Sequence, residues 1–302
     1  MTLQNLQKIT PQKMTLQKKA TLISSLTAFL LICVKFFTGI LSGSVAILAS
    51  AIDSLLDLCA SLFNLFALSK SEKPADLDYN YGLGKIESLA SIIEGSAIII
   101  SGLFIFYQSC KKLYLGEVIE HLDLSLGVMI FSFVVTLGLV IYLQYVAKVT
   151  QNLVIKADAL HYKTDLLSNG VIFISLGLIA WSGWDFIDGI LGIVVALYIL
   201  HSSYSLLKEG ISILLDKALE PSLVAQIQAI IAQEPQITAY HNLKTRQSAE
   251  IFFVEVHLVF NPTMTLFEAH MIADRVEQNI TKLQGQWKVI THLDPYDDGE
   301  NE

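Results

Sequence analysis

Two pairs of polar side chains, Asp53 with Asp57 and His161 with Asp165, stand four residues apart inside otherwise apolar sequence, in SAIDSLLDLCAS and LHYKTDLL. In an α-helix, residues i and i+4 lie one turn apart on the same face, so each segment offers two ligand groups pointing one way. If the two faces meet, three carboxylates and an imidazole surround a single point. Carboxylate oxygen and imidazole nitrogen both bind Zn²⁺ at about 2.0–2.2 Å, and this donor set suits a divalent cation in a tetrahedral cage. A charged side chain at membrane depth costs at least about 2.5–3.5 kcal/mol, and three crowded acids do not stay ionised together without a cation. Isolated polar groups snorkelling toward water are the plain alternative, and the occurrence of two such pairs favours the metal. Asp158 lies on nearly the same face as His161, but its place near the start of the segment makes it an acid that complements the helix dipole.

The elements that must position these residues are membrane helices. Of the 302 residues, 53% are hydrophobic and only 16% charged, whereas globular domains carry about 25% charged residues. A helix needs about 20 mostly apolar residues to cross the hydrocarbon core, and six stretches answer to that: 20–42, 44–68, 87–109, 123–147, 154–181 and 184–206. The first stretch is too long for a signal peptide and lacks a small-residue cleavage site, so it is expected to stay as a membrane helix. Lys8, Lys13, Lys18 and Lys19, then Lys70, Lys73 and Lys85, then Lys148 and Lys156 fall on one side; only Lys111 and Lys112 fall on the other. The positive-inside rule therefore predicts both termini in the cytoplasm. A net charge of -8 gives no basic surface for nucleic acid. Cys33, Cys59 and Cys110 are widely spaced in or beside apolar sequence and read as small buried hydrophobes rather than a disulfide framework.

After residue 206 the pattern changes. PSLVAQIQAIIAQE is helical with proline at its start, ITAYHNLKTR and EIFFVEVHLVF alternate like strands, TLFEAHMIADRVEQNITKL is an amphipathic helix, and WKVITHLDP is a last strand. This predicts an αββαβ domain with helices on one face of an antiparallel or mixed sheet. The expected organisation is a cytoplasmic segment over 1–19, a six-helix transmembrane domain over 20–206 and a cytoplasmic α+β domain over 207–302.

With DxxxD in the second span, HxxxD in the fifth, six spans and an αββαβ tail, the chain resembles the cation diffusion facilitators, a family of divalent-metal/proton antiporters. It is most similar to their bacterial zinc and iron efflux branch, in PADLDYNYGLGKIESLA, ADALHYKTDLLSNG, LLDKALEP and HNLKTRQS. The resemblance implies a transport site of Asp53, Asp57, His161 and Asp165 near the bilayer middle, a homodimer in the bacterial inner membrane, and a ferredoxin-like cytoplasmic domain that binds two zinc ions. The matching tail residues are His241, His257, His270, His292 and Asp294. His292 and Asp294 alternate onto one face of a strand. The family's interdomain charge interlock falls here on Lys85 and Asp216, and its loop zinc site falls on Asp76, Tyr79 and Leu83. Leucine cannot ligate metal and neutral tyrosine is a poor ligand, so the loop site is expected to be absent or crippled.

Lys35 and Glu94 lie within apolar segments and could pair with each other. Glu87, Asp185 and Asp188 sit near span ends, His121 reads as a loop residue and His201 as a helix-end residue. A divalent ion needs neutral imidazole and ionised carboxylate, so it must displace the protons held by an empty site. That competition couples export of the metal from the cytoplasm to the inward proton gradient. One nitrogen ligand shifts preference from Mn²⁺ toward Zn²⁺, Fe²⁺ or Cd²⁺. An intramembrane metalloenzyme is the less favoured reading, since no HExxH is present. A membrane-anchored metal sensor built on the tail histidines is the remaining alternative, although six spans exceed what an anchor needs.

Overall fold

The computed structural model describes residues 14–42, 45–115, 126–182, 184 and 186–295. Residues 1–13, His121 and Asp185 lie outside them. Six long helices run in order: α1 (Leu16–Ser42), α2 (Val45–Ser71), α3 (Lys85–Leu115), α4 (Leu126–Thr150), α5 (Leu153–Ser182) and α6 (Phe186–Leu214). All six prolines of the chain fall outside their interiors, as they must where every backbone N–H has to bond within the helix.

Among the described residues, α1, α2, α3, α4 and α6 are long and apolar enough to cross a membrane. The fifth helix has 30 residues, about 45 Å at 1.5 Å per residue, with Lys156, Asp158, Lys163 and Asp165 in its first half and an apolar second half. The sequence reading ends the last span at 206; α6 continues to Leu214, because no proline falls between Leu206 and Leu214, and the chain leaves the helix at Asp216, φ 56. His201 is therefore a mid-helix residue rather than a helix-end one. None of Cys33, Cys59 and Cys110 is buried as expected: Cys59 is exposed and the other two are half-buried, all as free thiols.

The chain divides into two compact units. The first takes the residues up to Ser69 and Ile93–Leu206. Its α4 and α5 form a tight hairpin through Gln151 and Asn152 alone. Gln151, at φ 53, turns the chain out of α4, and its N–H closes the helix on the Ala147 carbonyl at 2.9 Å. Asn152 then caps α5, its Oδ1 accepting the N–H of Val154 at 3.0 Å and of Ile155 at 3.3 Å. This corrects the reading of Asp158 as the helix-start acid: the cap is Asn152, and Asp158 lies beyond the first turn with no exposed surface. At one end of the helices Asp188 on α6 accepts from Lys112 Nζ on α3 at 2.6 Å and from Ser175 Oγ on α5 at 2.5 Å.

The second unit takes Lys70–Ile92 and the chain from Leu207 on, so the segment after α2 groups with the C-terminal residues. Lys85 Nζ donates to Asp216 Oδ2 at 2.8 Å and to the Leu214 carbonyl at 3.1 Å. The guanidinium of Arg246 stacks over the rings of Tyr81 and Phe253, at 4.8 and 4.2 Å from their centroids. The remainder is α7 (Pro221–Ala232), β1 (Ile237–Ser248), β2 (Ile251–Phe260), α8 (Leu266–Thr281) and β3 (Gln286–Asp294). The predicted αββαβ order holds. The sheet is mixed, with β2 central, antiparallel to β1 and parallel to β3. Alternate residues Val254, Val256, Leu258 and Phe260 of β2 form one core with Ile227 and Ile231 of α7 and Ile272, Val276 and Ile280 of α8. Helices thus cover one face, consistent with a ferredoxin-like fold, and the other face of β2 carries Glu255, His257 and Val259.

Arg275 on α8 binds Glu234 at the end of α7 through two bonds, Nε to Oε1 at 3.2 Å and NH2 to Oε2 at 2.8 Å. The guanidinium holds the Glu234 carboxyl below its ordinary range. A depressed folded pKa contributes stability that is present above the unfolded pKa and disappears as pH falls through the folded one. Glu234→Gln is expected to speed hydrogen exchange in α7 and α8 of the full-length protein modestly at pH 7, and to match wild type in acid below that range.

Candidate metal centres

In the first unit the structure brings Asp57, His161 and Asp165 together. Asp57 Oδ1 lies 3.1 Å from His161 Nε2, and Asp165 Oδ2 lies 3.7 Å from the same nitrogen. A tetrahedral Zn²⁺ with bonds of about 2.0–2.2 Å needs ligand atoms about 3.4 Å apart, and these two edges bracket that value. The three residues offer ligand atoms within 4.8 Å of one another. Asp53, one turn before Asp57, lines the same cavity of about 450 Å³ as Asp57 and Asp165 but is not one of the three close ligand groups.

What holds the two faces together is a second contact one turn along. Ser61 on α2 and Tyr162 on α5 share a buried hydrogen bond of 3.0 Å, next to the Asp57–His161 contact. Such bonds between membrane helices average about 0.6 kcal/mol. Tyr162→Phe is therefore expected to lower the melting temperature of the purified protein only slightly and to keep its metal binding, by calorimetry.

Three residues of this unit that the sequence reading left out of the site have other partners than expected. Lys35 and Glu94 do not pair: Lys35 Nζ donates to Ser54 Oγ at 2.7 Å and the Ser50 carbonyl at 3.3 Å, and it lines the same cavity. Glu94, buried, accepts from Asn64 Nδ2 at 3.0 Å. Asp158, also fully buried, has Ser24 and Asn64 as polar neighbours. The available signal was their polarity inside apolar segments, but their partners depend on helix packing.

In the second unit, strand register builds a second cluster. His241 on β1 pairs with His257 on β2, and His257 pairs with His292 on β3, so three imidazoles form one row across the sheet. Their ring centroids are 4.9 and 4.6 Å apart. Asp294, two residues past His292, points the same way. Its Oδ2 lies 3.1 Å from His241 Nε2 and 3.0 Å from His257 Nδ1, and its Oδ1 lies 3.1 Å from His292 Nε2. His241, His257 and Asp294 offer ligand atoms within 4.8 Å of one another, two nitrogens and a carboxylate of the kind Zn²⁺ favours, while His292 meets the other carboxylate oxygen and is not one of these close ligand groups. The structure does not bring His270 to this group. It stands on α8, exposed, facing Asp274 at 3.6 Å, while α8 packs on the opposite, apolar face of the sheet.

The loop between α2 and α3 has no such cluster among its described residues. Asp76 Oδ1 is taken up by its own turn, accepting the N–H of Asp78 at 3.0 Å and of Tyr79 at 2.7 Å.

Fold and clusters together define a multi-pass helical membrane protein with a carboxylate–imidazole group between two helices and a small α+β domain carrying a histidine row. Residues 21–215 match the cation efflux transmembrane domain, and residues 219–296 match the cation efflux protein cytoplasmic domain. The chain is 35% identical over 280 residues, 93% of each chain, to the cation-efflux pump FieF of Salmonella arizonae. To FieF of Klebsiella pneumoniae and of Salmonella choleraesuis it is 36% identical over the same length and shares. The chain belongs to the cation efflux, or cation diffusion facilitator, family, whose members are transporters of divalent metal cations.

Proposed function

We propose that this protein exports Zn²⁺, with Fe²⁺ or Cd²⁺ as further substrates, from the cytoplasm in exchange for protons, as a homodimer in the bacterial inner membrane with both termini inside. The observation that carries the reading is the Asp57–His161–Asp165 group, with its 3.1 and 3.7 Å edges. Asp53 completes the set when metal arrives. A carboxylate only accepts, so the hydrogen bond between Asp57 and His161 places a proton on Nε2, the atom a metal ion needs. With a proton on each ring nitrogen of the empty site, loading displaces the one on Nε2 and leaves the neutral, Nδ1-protonated ring that binds metal; unloading on the outer, more acidic side restores it. Rocking of helices around the site gives access to each side in turn.

His241, His257, His292 and Asp294 are proposed to hold a second metal in the cytoplasmic domain. When bound there, Zn²⁺ supplies a cross-link between all three strands. The matched cytoplasmic domain and the family's homodimer support association through this part of the chain. The test is ⁶⁵Zn²⁺ and ⁵⁵Fe²⁺ uptake into proteoliposomes with an imposed pH gradient. Gradient-driven flux of either ion supports transport. Zinc binding by the cytoplasmic cluster with no flux of any divalent metal would favour the sensor.

A further inference from the structure

A lysine inside a membrane helix demands an explanation, because its ammonium is costly to place there. Lys35, on α1, reaches across to α2, where the buried Ser54 hydroxyl and the Ser50 carbonyl hold its Nζ at 2.7 and 3.3 Å. Both anchors flank Asp53 in sequence. The side chain lines the same cavity as Asp53, Asp57 and Asp165, and these three carboxylates are the charges that act on it. An ammonium offers three donors and no acceptor, so Lys35 is no metal ligand.

We infer that Lys35 is a built-in counter-cation that sets the charge of the metal cavity to match a divalent ion. Of the charged groups that line the cavity, three carboxylates and one ammonium leave two negative charges, which a divalent ion bound with neutral His161 balances; Glu94 and Asp158 are not among the lining residues. Without Lys35 the same ligands are three charges negative, and the loaded cavity keeps an uncompensated charge in a medium of low dielectric. The lysine thereby weakens metal binding, which an exporter needs in order to release its cargo, and disfavours ions of higher charge.

This inference rests on the reading of the cavity as the transport site, and the experiment separates the two. The full-length protein in detergent carries Asp294→Ala to silence the cytoplasmic cluster, and equilibrium binding of Zn²⁺ and Tb³⁺ is measured with Lys35→Gln, Lys35→Arg and Asp57→Ala. The effect of removing a point charge scales with the charge of the bound ion. Lys35→Gln is expected to raise the Zn²⁺ affinity by at least about tenfold and that for Tb³⁺ by about thirtyfold, logarithms in the ratio of two to three. Lys35→Arg stays close to the unsubstituted protein. A merely structural tether predicts weaker or unchanged binding in Lys35→Gln, or equal shifts for both ions, and either result overturns the proposal. Loss of Zn²⁺ binding in Asp57→Ala, with no change in Lys35→Gln, sinks only the counter-cation. Retention of binding in Asp57→Ala sinks the site itself.

Discussion

Asp57→Ala is expected to reduce metal flux through proteoliposomes by at least 100-fold, roughly the upper end of what losing even an outer-shell partner of a metal site costs. Asp57 contributes twice. In the proposed site its carboxylate is one corner of the cage, and its contact of 3.1 Å with His161 orients the imidazole proposed to supply the nitrogen ligand. Asp57→Asn keeps size and one acceptor but loses the charge, and is expected to be nearly as poor. His161→Asp tests the other half. It removes the nitrogen and gives an all-oxygen cage, so preference is expected to move from Zn²⁺ toward Mn²⁺, read as the ratio of their fluxes.

The second large effect is expected at Asp294. One carboxylate faces three imidazoles, at 3.0 to 3.1 Å each, and no other side chain in the cluster carries negative charge. With Asp57→Ala in the background to silence the membrane site, Asp294→Asn in the full-length protein is expected to weaken Zn²⁺ binding about 100-fold by calorimetry. The metal-induced rise in melting temperature of the cytoplasmic unit should vanish with it, since a ligand stabilises only the state that binds it. His270→Ala is expected to leave both unchanged, because His270 faces Asp274 on the far side of the sheet. Unaltered binding in Asp294→Asn would place the cytoplasmic metal elsewhere.

The parts of this molecule legible in the sequence are those whose geometry is local. Asp53 with Asp57 and His161 with Asp165 each share a helix face by spacing alone, and the αββαβ order follows from periodicity and the prolines. The contacts between elements were not legible. That α2 and α5 meet through Ser61 and Tyr162 depends on packing, as does the reach of Lys35 to Ser54 instead of Glu94. Asp158 read as a helix-start acid, although Asn152, a favoured cap residue directly before Leu153, Val154 and Ile155, carried the signal of the true start. The histidine row depends on strand register, in particular the parallel pairing of β2 with β3 that sets His257 beside His292. Family likeness supplied those positions; strand pairing sets His241, His257 and His292 side by side and alternation along β3 brings Asp294 to them, while His270 lies on a helix against the other face.

The most direct test of metal–proton exchange at the membrane cluster is to follow metal and proton movement together in the same proteoliposomes, with the pH gradient imposed in each direction. Metal is expected to move toward the acidic compartment, protons to move oppositely in fixed proportion, and reversal of the gradient to reverse both. Metal flux of the same size and direction whatever the gradient, with no accompanying proton movement, would contradict that exchange.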